Sequence, residues 1–150
     1  MRRDYFTLDV DGGGNGERPV VTIEFDGPTE PFERRLTNEV GEPLEAGEID
    51  FTYRLRAEEV RPETNGVFAV TNRITGDYVL EANADAGSIL DLVEAARVNG
   101  TGDGDDRWYR VVIRSNGQEV LAQEKTTFLV YDVDGDILRN HSLIPSGVEL

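Results

Sequence analysis

Apolar residues recur with a period of two along most of the chain. In DYFTLDV, Phe6, Leu8 and Val10 share one side, and in VVTIEFD, Val21, Ile23 and Phe25 do the same. In EIDFTYRLR, Ile49, Phe51, Tyr53 and Leu55 oppose Asp50, Thr52, Arg54 and Arg56. Successive side chains of a strand point to opposite faces, so each segment predicts a half-buried β-strand. Turn residues separate these segments and join neighbours into hairpins. DYFTLDV and VVTIEFD are linked by the glycine-rich DGGGNGE, and VFAVTNR and DYVLEAN by Ile74-Thr75-Gly76. The second of these pairs Val70 with Leu80, Phe68 with Ala82 and Arg73 with Asp77. RWYRVVIRS and QEVLAQEK meet at Asn116-Gly117, the strongest turn signal in the chain, which sets Ile113 against Val120, Arg114 against Glu119 and Trp108 against Lys125. TTFLVYDV and DILRNHS turn at Asp134-Gly135, with Tyr131 opposite Leu138.

One segment changes period. After Asp85, an N-cap candidate, Ile89, Leu92, Val93 and Ala96 fall on one helical stripe; Arg97 sits in the last turn and Gly100 ends it. A shorter helix, PFERRL, fits within the proline- and charge-rich stretch 28–47. FLVYDV is apolar on both faces, which predicts an interior strand covered on both sides. The expected fold is a single α+β domain over residues 1–150, a mainly antiparallel sheet in meander-like hairpins with one packed helix. Its second face is covered either by the sheet folding over as a sandwich or by the 28–47 excursion.

Composition narrows the chemistry. The formal charge is −15, and Lys125 is the only lysine beside 14 arginines and 30 acids. Lysine depletion with abundant carboxylates suits a concentrated-salt cytoplasm, and the net charge disfavours nucleic acid and anionic lipid as partners. Without cysteine, and with His141 as the only histidine, disulfides, thiolate nucleophiles and ordinary zinc sites are excluded. No apolar run is long enough for a membrane span and Arg2-Arg3 precedes no signal-peptide core, so a cytoplasmic protein is expected.

YDVDGDILRN, Tyr131 to Asn140, sets aspartates at alternate positions around a glycine, as calcium loops do. Starting the loop at Asp132 puts Ile137 where the invariant glycine belongs and Leu143 where the bidentate glutamate belongs. Making Gly135 the invariant glycine instead puts Val130 first and His141 last. Neither register makes an EF-hand-type loop; the alternative of a looser surface ion site at Asp132, Asp134 and Asp136 stands beside a two-residue Asp-Gly turn, which explains the same residues and is favoured. DGGGNGE lacks a phosphate-loop lysine and carries Asp11 and Glu17, which repel phosphate. His141 and Ser142 are adjacent strand positions on opposite faces, unsuited to a base–nucleophile dyad. No catalytic, cofactor-binding or metal-binding residue is assigned. What remains is arginine interleaved with apolar and aromatic residues on strand faces: Arg54 and Arg56 on one segment, Trp108, Arg110 and Arg114 on another. Such faces bind protein partners or stack single-stranded nucleic acid, and these five are the candidate partner-binding residues.

The opening MRRDYFTLDV, the central GVFAVTNRITGDYVLEANADA and the closing TTFLVYDVDGDILRNHSLIPSGVEL resemble a family of small uncharacterised proteins from halophilic archaea. That resemblance implies a salt-rich cytoplasm and supplies no activity or site residue. The functional expectation is a non-enzymatic cytoplasmic binding or adaptor protein with a protein partner. The alternatives are a carboxylate- or Mg-dependent hydrolase drawing ligands from the Thr101 to Asp106 loop, and a single-stranded nucleic acid binder using the Trp108/Arg110 face.

Overall fold

The alternating segments become eight strands with two helices between them, in a computed structural model that describes residues 5–12, 18–27, 29–59, 61–99 and 108–144. In chain order these are β1 (Phe6–Asp11), β2 (Val20–Phe25), α1 (Thr29–Arg35), β3 (Ile49–Leu55), β4 (Asn65–Asn72), β5 (Tyr78–Asp85), α2 (Ala86–Asn99), β6 (Tyr109–Ser115), β7 (Gln118–Lys125) and β8 (Leu129–Tyr131). The fold is α+β and mostly β, as the periodicity predicts, but the strands divide into two four-stranded sheets. The first has the order β1-β2-β6-β7 and the second β5-β4-β3-β8. Local hairpins account for the antiparallel pairs, whereas β2 with β6 and β3 with β8 are parallel and join segments far apart in the chain.

Both sheets turn their apolar faces into one core. Val21, Ile23, Phe25, Tyr109, Val111 and Ile113 come from the first sheet, and Ile49, Phe51, Tyr53, Phe68, Val70 and Val130 from the second. Tyr109 touches the second sheet's aromatics, its ring centroid 6.3 Å from Phe51 and 5.7 Å from Phe128. The α2 stripe of Ile89, Leu92, Val93 and Ala96 is buried in the same core, and Ser88 Oγ donates to the Asp85 carboxylate at the helix start at 2.6 Å. From the 28–47 excursion, Phe32, Leu36 and Leu44 also reach it, with Phe32 4.4 Å from Phe25. Sheet-on-sheet packing and the excursion thus both cover the strands' inner faces. Among the described residues no helix is long and apolar enough to cross a membrane.

Gly66 fixes how the second sheet is built. Tyr53 crosses β4 at this residue to donate its hydroxyl to Ala84 O of β5 at 2.8 Å, and a Cβ on Gly66 would stand 2.2 Å from that hydroxyl oxygen. Any side chain there collides with the ring or with Arg54 O, 2.7 Å away.

Several pairings differ from the sequence reading, chiefly because of two β-bulges. Val70–Leu80 and Phe68–Ala82 hold, but a shift after Val70 sets Thr71 against Tyr78, and Arg73 forms its ion pair with Asp50 of β3 instead of meeting Asp77. Asn116 and Gly117 make the expected left-handed turn, φ 50° and 87°, and Arg114 faces Glu119. A bulge before Arg114 then places Ile113 opposite Leu121 and Tyr109, not Trp108, opposite Lys125. β8 is an edge strand rather than an interior one; the returning chain covers it through bridges from Phe128 to Leu143 and from Tyr131 to Ile137, and Arg139–His141 is a 3-10 turn instead of a strand. Ser142 Oγ donates to Leu138 O and accepts from Val130 N, so it is a structural hydroxyl. The Thr101 to Asp106 loop and Gly100 lie outside the described residues.

Candidate functional site

The five candidate residues fall on two outward faces. Trp108, Arg110 and Arg114 belong to the first sheet, where pairing sets the neighbours of each arginine. Arg110 sits between Val20 and Glu124, and Arg114 between Glu24 and Glu119. Arg110 Nη1 lies 3.9 Å from Glu124 Oε1; Arg114 Nε lies 3.2 Å from Glu24 Oε2 while its Nη2 donates to Gly117 O at 2.6 Å. Trp108 is covered by Arg18, whose guanidinium carbon is 5.2 Å from the ring centroid. The three residues therefore share a face, and its cations are already matched by carboxylates or an aromatic ring.

Arg54 and Arg56 occupy the outward side of the second sheet, where the structure forms a groove of about 730 Å³. Its lining runs from Tyr78 and Glu81 on β5, over Val67 and Ala69 on β4 and Thr52 on β3, to Tyr131 on β8 and the following turn. The groove thus crosses all four strands. Val67 and Ala69 form its floor and are only 8 % and 7 % exposed although they face away from the core, because long side chains rise around them. Cross-strand neighbours of Arg54 are Val67 and Tyr131, neither of them acidic. Arg54 Nη2 instead donates to Val133 O at 2.7 Å, keeping its charge at the groove wall. Arg56 is exposed, and among the described residues its guanidinium meets no partner.

The turn that suggested calcium builds one end of this groove. Asp132 Oδ1 accepts from Asp134 N and Asp136 N, each at 2.9 Å, and Asp132 N donates to Asp136 O at 2.8 Å. Gly135 takes φ 88°, and a Cβ there would sit 3.7 Å from the Arg54 guanidinium. The aspartate at the start of the turn satisfies backbone amides, which is the ordinary work of an Asx turn. Among the described residues no group of three or more His, Asp or Glu is placed to hold a metal ion.

A second, smaller hollow adjoins the first. Arg34, Arg35, Thr37, Asp77 and Val79 line it, and Tyr78 lines both, standing 59 % exposed between them. Arg35 Nη1 donates to the carbonyl of Val79 at 3.5 Å, while Arg34 is exposed with no side-chain partner among the described residues. Burial lowers the Lys125 ammonium, Asp50 opposes that and Arg73 adds to it; Lys125 Nζ donates to Ile49 O at 2.8 Å.

A family model matches residues 1–150, which takes in both sheets and the groove on the second. The chain belongs to the DUF5793 family. DUF5793 is a family of unknown function, so membership carries no activity or site residue to this chain. No curated protein and no solved structure matches it. For this DUF5793 member the residues that sequence reading missed are Tyr78, Tyr131, Val67, Ala69, Glu81 and the Arg34/Arg35 pair. Tyr78 has the parity of the core residues Leu80 and Ala82 along DYVLEAN, so the apolar period carried no signal for it; only the bulge at Val70/Thr71 turns it outward.

Proposed function

We propose that this protein is a non-enzymatic binding or adaptor protein of a salt-adapted cytoplasm, and that a protein partner docks in the groove on the second sheet. One observation carries the reading: an aliphatic floor framed by Tyr78, Tyr131, Arg54 and Arg56, residue types that dominate binding energy at interfaces. The lysine-poor, acid-rich composition supports the salt-adapted setting. Hydrolysis has less support, since among the described residues lining the groove Glu81 is the only carboxylate. Nucleic acid binding through Trp108 and Arg110 has less support too, since glutamates accompany those arginines and the net charge opposes a polyanion.

The test is affinity purification from the native cytoplasm in molar potassium chloride, comparing the wild-type chain with Arg56→Glu/Tyr78→Ala and with Trp108→Ala/Arg110→Glu. The reading expects a protein that co-purifies with wild type and the second variant and is lost from the first. A partner lost only from the second variant would move the site to the first sheet.

A further inference from the structure

We infer that the occupant of the groove is an extended peptide segment presenting an aliphatic side chain between two carboxylates; this rests on the docking role proposed above. Among the described lining residues the first hollow has Arg54 and Arg56 against Glu81, and the second Arg34 and Arg35 against Asp77, so each lining is net positive by one on a chain of charge −15, with the Asp134/Asp136 turn beside the first. Within these hollows no arginine is matched by a carboxylate: Arg35 and Arg54 bond carbonyl oxygens, and Arg34 and Arg56 are unmatched among the described residues. On the first sheet Arg110 and Arg114 each pair with a glutamate, so the outward faces of the two sheets differ in this respect. An incoming carboxylate finds donors that no carboxylate among the described residues already pairs.

The geometry selects the shape of the ligand. Tyr78 is level with Thr71 and Asp50, six positions along the strands from Arg56 and two strands across. At about 3.3 Å per residue and 4.8 Å per strand the path between them is roughly 22 Å, the reach of six or seven extended residues. The Val67/Ala69 floor takes an aliphatic side chain, and Tyr78, shared by both hollows, is the ridge the segment crosses to pass from Arg56 to Arg34. A polyanion fits less well. Glu81 and the Asp134/Asp136 turn stand at the two ends of the first hollow, where a nucleic acid strand would bring a phosphate every nucleotide, while a peptide sets neutral residues there.

The experiment titrates the full chain into fluorescein-labelled acetyl-Gly-Glu-Val-Leu-Glu-Gly-amide and follows anisotropy, with the Glu→Gln peptide and a short oligodeoxythymidylate as parallel probes. We expect the acidic peptide to bind at least tenfold more tightly than its glutamine counterpart. Arg34→Glu/Arg56→Glu should erase that preference and Arg110→Glu should preserve it, with folding of each variant checked by circular dichroism. Equal binding of both peptides, lost on Tyr78→Ala, would overturn the charge inference and leave the docking groove standing. Tighter binding of the oligonucleotide, or binding of no probe, would overturn the inference as well; the purification experiment decides the docking role separately.

Discussion

Arg110 and Arg114 look across their strands at Glu124, Glu24 and Glu119, and their sheet presents a face of neutralised charge. Arg54 looks across at Tyr131 and Val67, and the other sheet presents a groove whose arginines pair with no carboxylate among the described residues, around an aliphatic floor. Along the chain the two stretches, RWYRVVIRS and TYRLR, carry the same alternation of arginine with apolar residues. The neighbouring strands make the difference: glutamates from VVTIEFD and QEVLAQEK flank the first, and valine, alanine and tyrosine flank the second. An arginine's availability is thus a property of the strands beside it, and it follows the register rather than the local sequence.

The largest way to break the contrast is to damage the frame of the second sheet alone. Gly66→Ala should cost about 2–3 kcal/mol in urea unfolding, since a methyl group there meets both the Tyr53 ring and Arg54 O with no room to relax. A loss below roughly 0.5 kcal/mol, the range of ordinary surface changes, would mean that Tyr53 does not cross β4 as described. Next in size, Ala69→Leu should fill the groove floor and reduce binding of the acidic peptide by at least tenfold, about 1.4 kcal/mol, with far less effect on unfolding. The matching change on the other face, Val112→Leu, should leave that binding unchanged.

Smaller effects sharpen the account. Tyr53→Phe removes one hydroxyl donor to Ala84 O and should cost about 1 kcal/mol near neutral pH. Burial, then Asp85, raises the Tyr53 phenol above its ordinary 10.0, and burial, then Asp50, raises that of Tyr109. The folded state therefore keeps protons that the unfolded chain releases: the stabilisation is complete below pH 10.0 and is lost as the pH climbs beyond it. Lys125 works the other way, adding stability as the pH rises toward 10.5, so the fall at higher pH belongs to the tyrosines. An unfolding series across this range should show the fall, and Tyr53→Phe should make it shallower. Smallest of all, Arg110→Ala and Arg114→Ala should change stability by less than about 0.5 kcal/mol each, because their ion pairs are largely solvent-exposed.

Elements that depend on local pattern were legible in the chain. Ile49 through Leu55 announce β3 by strict alternation, Asn116-Gly117 announces its hairpin, and Ile89, Leu92, Val93 and Ala96 announce α2. The parallel pairings of β2 with β6 and β3 with β8 were not, because hairpin rules concern neighbours in sequence and these partners are brought together only by burial of both sheets' apolar faces. The bulges at Val70/Thr71 and Ile113/Arg114 leave no mark on the apolar period, yet each moves the remaining pairs by one residue. Arg54 and Arg56 were recognisable as outward arginines. The groove they line was not, since Tyr131 reaches Arg54 through a parallel pair and Tyr78 joins them through a bulged one. The acidic turn after Tyr131 is likewise structural, and its place beside Arg54 gives it a part in the groove's wall.

The most direct measurement is amide chemical-shift mapping of the isotopically labelled chain during titration with the acidic peptide. The account predicts shifts at residues 52–56, 67–69, 78–81 and 131–135, with residues 20–24 and 110–114 unmoved. Shifts concentrated on 20–24 and 110–114, with the second sheet silent, would contradict it.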